Sequence, residues 1–228
     1  MHLFTATGAL VGFLALQAAM DGRVRTCLLW LIVCQVVDGV DGPMARKFDV
    51  EVHAPHVDGH VLDLVIDYVT CVVVPVALMH QLDIVPPRLS TAVSALILIT
   101  GALWFARTDQ ETDDVWFNGF PAMWNIVIPS FLLLDTPPTR AAVYCVFFAL
   151  LQLTNVKFPH VMRVRAVRTA THTATVIYFG SFIYMSTIYP ETNWWAKAVL
   201  LVAPAYLLFI VVWRTWFPDH ALRGHRIV

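Results

Sequence analysis

Eight apolar segments run through this chain, each close to the length that crosses a bilayer as a helix: 3–20, 26–46, 59–80, 89–107, 117–134, 139–156, 172–189 and 195–213. A span needs roughly 20 apolar residues, with about 17–25 as the working range. The polar joins are short, and Pro86-Pro87 and Pro137-Pro138 break two of them. In hydrocarbon every backbone N–H and C=O must find a partner inside the protein, and segments of this length do so as helices. The expected fold is therefore an all-α integral membrane protein, a single polytopic domain over 1–228 with about eight transmembrane helices. Composition agrees, because 58% of residues are hydrophobic and 14% charged, against roughly 45–50% and about 25% in soluble domains. The net charge of -1 gives no basic footprint for nucleic acid. Cys27, Cys34, Cys71 and Cys145 all fall inside apolar segments and form no Cys-x-x-Cys pair. They read as small buried hydrophobes, not disulfides or zinc ligands. No basic region precedes the first apolar run, so no cleavable signal is expected.

Lysines and arginines set the orientation. Suppose the interval between the second and third segments is cytoplasmic. That side then holds Arg46, Lys47, Arg107, Lys157, Arg163, Arg165, Arg168, Arg214, Arg223 and Arg226, and the other holds Arg23, Arg25, Arg88, Arg140 and Lys197. Ten against five obeys the positive-inside rule and places both termini in the cytoplasm. Trp104, Trp194, Trp195, Trp213 and Trp216 lie at segment ends, as an interfacial belt requires.

Four aspartates stand against this apolar background. Asp38-Gly-Val-Asp41-Gly42-Pro-Met-Ala45-Arg46 closes the second segment, and Gly59-His-Val-Leu-Asp63-Leu-Val-Ile-Asp67 opens the third. Helix positions three, four, seven and eight apart share a face. Asp38, Asp41, Gly42, Ala45 and Arg46 thus make one stripe, and Gly59, Asp63 and Asp67 make another. Turned towards each other, the stripes bring four carboxylates to one pocket. An intramembrane Asp costs about 2.5–3.5 kcal/mol on insertion scales, so four unpaired would cost on the order of 10 kcal/mol. That is comparable to the whole stability of a small domain. One arginine cannot neutralise four carboxylates. One or two hard, oxygen-seeking ions such as Mg²⁺ or Mn²⁺ can. Gly42, Ala45 and Gly59 leave a shelf without side chains, which suits either close helix packing or a bulky ligand. Beside a metal it suggests a nucleotide diphosphate, whose charge the ions would neutralise.

The order D-x-x-D-G-x-x-A-R followed by G-x-x-x-D-x-x-x-D resembles the signature of the CDP-alcohol phosphatidyltransferases. These integral membrane enzymes move a phosphoryl-linked group from a CDP-linked donor to an alcohol. The resemblance implies their helical bundle, a metal-dependent site facing the cytoplasm from a bacterial inner membrane, and a homodimer. It implies Asp38, Asp41, Asp63 and Asp67 as the metal set, with Asp67 also placed as general base. Gly42, Ala45 and Gly59 would border the cytidine. Arg46 would fix the motif or the nucleotide phosphate, and Thr5 would touch the nucleotide from the first helix. The interval from Lys47 to Asp58 is twelve residues, longer than the family norm, and most of the family has fewer helices. These two features, the opening His2-Leu-Phe-Thr5-Ala, and the stretch Phe117-Asn-Gly119-Phe120-Pro121-Ala-Met-Trp124-Asn125 resemble the branch that uses choline as acceptor. That branch passes the phosphatidyl group of CDP-diacylglycerol to choline and releases CMP.

Choline's ammonium carries no N–H donor, so aromatic faces and nearby negative charge must hold it. The candidates are Tyr68, Trp116, Phe120 and Trp124, with Asn125 for the hydroxyl. Packing and interfacial anchoring are the competing roles for the aromatics. Asp109, Asp113 and Asp114 would steer a cation inward or simply be solvated. Lys157 or Arg163 would reach the donor phosphates, or else set topology and touch anionic lipid. His53, His56 and His60 match no standard zinc spacing. The alternative acceptors are inositol phosphate, glycerol phosphate and serine. A phosphorylated acceptor would want a basic cluster beside Asp67, and 68–79 carries no charge. A cation transporter is the remote alternative, and the chain shows no internal repeat to support it.

Overall fold

The computed structural model describes residues 2–47, 56–112, 115–160 and 168–216, with side chains throughout except at 41–47 and 168. Its described residues form eight helices: α1 (His2–Met20), α2 (Val24–Lys47), α3 (Gly59–Gln81), α4 (Pro87–Phe105), α5 (Trp124–Leu133), α6 (Pro138–Gln152), α7 (Arg168–Ile188) and α8 (Trp194–Trp216). Two short strands, β1 (Trp116–Asn118) and β2 (Lys157–Pro159), pair antiparallel with Phe117 opposite Phe158. By length and composition α1, α3, α4 and α8 can each cross a membrane. This is an all-α membrane protein with a small β-ribbon at one end.

Helix α1 sets the packing. Gly8, Gly12, Ala15, Ala18 and Ala19 are its buried residues, a seam of small side chains that lets neighbours approach closely. Helices α2 and α3 both pack on α1. The closeness is measurable at two glycines. An ideal Cβ on Gly8 would stand 2.9 Å from Ile66 Cγ2, and one on Gly12 would stand 2.9 Å from Thr70 Cγ2.

Helix α3 is not regular. Tyr68–Val73 forms a π turn, in which the Val74 N–H reaches back five residues to the Val69 carbonyl. Pro75 lies just beyond. Proline has no N–H to donate and clashes with the carbonyl four residues before it, and the wider turn relieves that conflict. The extra width is received by glycine on both sides. Gly12 faces Thr70, and an ideal Cβ on Gly101 of α4 would lie 3.0 Å from Val72.

The fifth apolar segment departs from the expected span over 117–134. Its first residues form β1, and α5 begins only at Trp124. With ten residues α5 is about 15 Å long at 1.5 Å per residue, half of a hydrocarbon core of about 30 Å. Gly119 explains the break. It adopts φ +80°, and an ideal Cβ there would sit 2.4 Å from the Gln152 carbonyl oxygen. Pro121 follows and offers no N–H. The start of the basic interval after 156 supplies β2.

The ribbon is fastened to the helix ends by polar contacts. Arg107 donates to the carbonyls of Gln152 (3.4 Å) and Thr154 (2.9 Å), to Asn155 Oδ1 (2.8 Å) and to both carboxylate oxygens of Asp109. The hydrogen bond from Arg107 holds the Asp109 carboxyl below the usual carboxylate range. Trp104 Nε1 donates to the Asn118 carbonyl at 3.1 Å. The Lys157 N–H donates to Thr215 Oγ1 at 2.9 Å, and the Arg214 guanidinium lies 5.7 Å from the centre of the Trp116 ring.

Gly119→Ala should therefore lower the thermal unfolding midpoint in detergent clearly. The left-handed backbone alone costs about 1–3 kcal/mol for a residue with a side chain, and the carbonyl in the way belongs to the backbone of α6. Gly101→Ala, which meets the Val72 side chain at 3.0 Å and no backbone, should lower it less. Equal midpoints for wild type and Gly119→Ala would contradict this account of the break.

Candidate active site and metal centre

Helices α1 and α3 run side by side in the same direction. Three contacts fix their register: His2 lies on Gly59, Gly8 on Ile66, and Gly12 on Thr70. The offset is 57 or 58 residues throughout, which puts Thr5 level with Asp63. Helix α3 starts where it does because Asp58 caps it, its Oδ1 accepting from the N–H groups of His60 (3.0 Å) and Val61 (3.1 Å). Four residues per step from Gly59 then carry Asp63 and Asp67 towards α1. Helix α2 brings Asp38 to the same place.

The carboxylates of Asp38, Asp63 and Asp67 each offer an oxygen within 4.8 Å of the others. Asp38 is exposed, and Asp63 and Asp67 are half-buried. They wall a cleft with Thr5 and Thr70, above an apolar floor of Gly8, Cys34, Val37 and Ile66. Two oxygens on opposite sides of one Mg²⁺-sized ion stand about 4.2 Å apart, twice a bond of about 2.1 Å. The three-carboxylate set therefore fits a hard divalent cation with little adjustment. The enclosed volume of ≈ 10 Å³ takes an ion or a single water, so a larger ligand must approach from the mouth.

Of the other residues in the motif, position 41 lies one turn beyond Asp38 on a helix that continues to Lys47. The side chains of Asp41, Gly42, Ala45 and Arg46 fall outside the described residues, as does Arg163. Thr5 lines the cleft. Gly59 does not present bare backbone, because the His2 ring covers it, with Cε1 3.0 Å from an ideal Cβ. Five lining residues, Gly8, Cys34, Val37, Ile66 and Thr70, escaped the sequence reading as site residues. Thr70 follows Asp67 by three, on the same stripe. Gly8 and Gly12 form a G-x-x-x-G pair, a packing signal that would have turned α1 towards the aspartates.

The aromatic candidates lie elsewhere. Tyr68 faces α4, its hydroxyl donating to the Leu98 carbonyl at 3.1 Å and its ring edge-on to Phe105 at 6.3 Å. Trp116 is buried in the ribbon beneath Arg214. Lys157 hydrogen-bonds to the Asn118 side chain. Phe120 stacks on Phe148 at 4.5 Å and meets Trp124 edge-on at 6.2 Å. Trp124 and Asn125 are different in kind. Both are buried, and Trp124 Nε1 and both amide atoms of Asn125 have no hydrogen-bond partner. Their helix packs on the π turn that follows Asp67, and Trp124 shares a core cluster with Cys71 and Val72.

The comparisons with known proteins decide the family. No family model matches the chain. Curated relatives do, and over nearly its whole length. The phosphatidylcholine synthase of Pseudomonas aeruginosa is 34% identical over 220 residues, covering 95% of this chain and 92% of its own. This chain belongs to the phosphatidylcholine synthase family. The phosphatidylcholine synthase of Agrobacterium fabrum is 31% identical over 219 residues (96% and 91%), and that of Rhizobium johnstonii 30% over 218 (96% and 90%). Their coverage takes in the ribbon and α8 as well as the aspartates, so the whole architecture belongs to phosphatidylcholine synthases and not only its motif.

Asp63→Ala should weaken Mn²⁺ binding by more than about tenfold, since even outer-shell partners of a metal site are worth about 10–100-fold. Titration of the purified protein followed by electron paramagnetic resonance reads this directly. Unchanged Mn²⁺ affinity would remove Asp63 from the ligand set.

Proposed function

We propose that this chain transfers the phosphatidyl group of CDP-diacylglycerol to choline and releases CMP, using Mn²⁺ or Mg²⁺. The observation that carries the reading is the three-carboxylate cluster of Asp38, Asp63 and Asp67, in a chain whose curated relatives are named phosphatidylcholine synthases. Asp38, Asp63 and Asp41 would hold the ion or ions, with Asp67 beside them, and the metal would neutralise the diphosphate when bound.

The residues of the chain account for the remaining steps. Choline's hydroxyl is a weak nucleophile until a base takes its proton. Asp67 accepts that proton as the choline oxygen bonds to the phosphorus on the diacylglycerol side. The bond from that phosphorus to the bridging oxygen breaks, and its electron pair leaves on the CMP phosphate. Gly8, Val37 and Ile66 line the apolar side of the cleft, which leaves the aspartates, Thr5 and Thr70 as its oxygen-bearing side chains. The nucleotide half lies along Thr5, Gly42, Ala45 and Arg46, at the cytoplasmic end of the bundle in an inner membrane. The lipid tails stay in the bilayer.

The candidates for choline are Phe120, Trp124 and Asn125, which do not line the carboxylate cleft, so Asn125 meets the hydroxyl that Asp67 deprotonates only if the packing between α3 and α5 opens. A buried polar group left without a partner costs about 1–3 kcal/mol, and Asn125 carries two such atoms beside Trp124. A ligand hydroxyl against the Asn125 amide and an ammonium on the aromatic faces of Phe120 and Trp124 would satisfy what the fold leaves open. Tyr68 and Trp116 already have partners of their own. Phosphorylated acceptors find no basic cluster along 68–79.

Purified protein given CDP-diacylglycerol, Mn²⁺ and radiolabelled choline should form labelled phosphatidylcholine. Turnover of inositol phosphate, glycerol phosphate or serine in its place, with choline left untouched, would refute the assignment. If Asn125 meets choline, Asn125→Leu should raise the KM for choline about tenfold or more with the donor KM little changed. Tyr68→Phe should leave the choline KM near wild type, because its hydroxyl serves Leu98. The reverse pattern would move choline to Tyr68 on α3.

A further inference from the structure

His2 has no role in the account so far, and its surroundings give it one. His2, Thr5 and Gly8 recur at three-residue steps along α1, and Thr5 and Gly8 line the carboxylate cleft. The His2 ring rests on the backbone of Gly59, with Cε1 3.0 Å and Nδ1 3.4 Å from an ideal Cβ. Any side chain at 59 would displace it. Gly59 opens the stripe that continues through Asp63 and Asp67, so the ring stands one turn from Asp63, about 6 Å along the axis at 1.5 Å per residue. That is about the reach from a metal-bound phosphate to the ribose it esterifies. His2 Nε2 is shielded from solvent, and no hydrogen bond satisfies it. At the start of α3, Asp58 takes the N–H groups of His60 and Val61.

We propose that His2 binds the nucleotide half of the donor, with Nε2 hydrogen-bonding the CMP moiety and the ring held in place by Gly59. The proposal rests on the reaction given above. An imidazole suits this position because it can donate or accept, and ribose and cytosine present both kinds of partner. The role of Gly59 changes with it. The glycine makes room for the ring, and the ring, not the glycine, meets the nucleotide.

The test uses the full chain in detergent, with CMP as the calorimetric probe and with both substrates varied in steady-state assays. His2→Ala should raise the Kd for CMP and the KM for CDP-diacylglycerol about tenfold, which is the upper range for one hydrogen bond. Turnover at saturation and the choline KM should stay within about twofold, and Mn²⁺ affinity should be unchanged. His2→Gln, which keeps a donor and an acceptor, should recover much of the loss. Gly59→Ala, which crowds the ring at 3.0 Å, should weaken CMP binding in the same direction and by less than His2→Ala. CMP binding at the wild-type level in His2→Ala, or Mn²⁺ affinity falling in step with it, overturns the assignment to His2. Wild-type protein that binds no CMP at all overturns instead the reaction on which the assignment rests.

Discussion

Three carboxylates, one exposed and two half-buried, have oxygens within 4.8 Å of one another and repel. Everything around them serves to hold them there. The small-residue seam of α1 lets α3 come close enough that Gly8 and Gly12 touch Ile66 and Thr70. The Asp58 cap fixes where α3 begins, and so fixes the angle at which Asp63 and Asp67 leave it. A bundle with larger side chains on α1 would move the two helices apart and open the cluster. The energetic cost of gathering these charges is the reason to expect a cation among them, and a cation that also binds phosphate turns that cost into chemistry.

The relation between α1 and α3 also explains why the site sits at one end of the bundle. The two helices start together and run parallel, so their first turns supply His2, Thr5, Gly59 and Asp63 at nearly the same depth. Deeper along the same seam the contacts become wholly apolar, through Gly12 and Ala15 to Ala19. The polar chemistry is thus confined to about two turns at the mouth. Below it the bundle is ordinary membrane packing, where neither water nor a charged nucleotide has reason to enter.

Hydropathy made most of the helices legible, because a bilayer-length apolar run has few other ways to satisfy its backbone. The aspartate stripes were legible for a related reason: spacing of three and four on a helix dictates a shared face. The failures have physical causes as well. Whether 117–134 forms one helix depends on Gly119 meeting the Gln152 carbonyl, a contact with a residue more than thirty positions away. Tyr68 follows Asp67 in the chain, yet its hydroxyl is drawn to the Leu98 carbonyl on another helix. Gly59 looked like an open shelf because nothing in its local sequence says that His2 lies on it. Each of these is a contact between distant segments, which helix periodicity alone does not encode.

The π turn of α3 has a consequence for how this helix reads along its length. A single such turn amounts to one surplus residue in an otherwise regular spiral, and each residue is worth about 100° of rotation. Helix α3 therefore has two angular frames. The frame before Tyr68 points Asp63 and Asp67 into the cleft, and the frame after Val73 points Val76 and Met79 into the core. Neither frame alone satisfies both demands. Removing one residue between 68 and 73 would leave a perfectly good helix, with either its carboxylates or its core residues facing the wrong way.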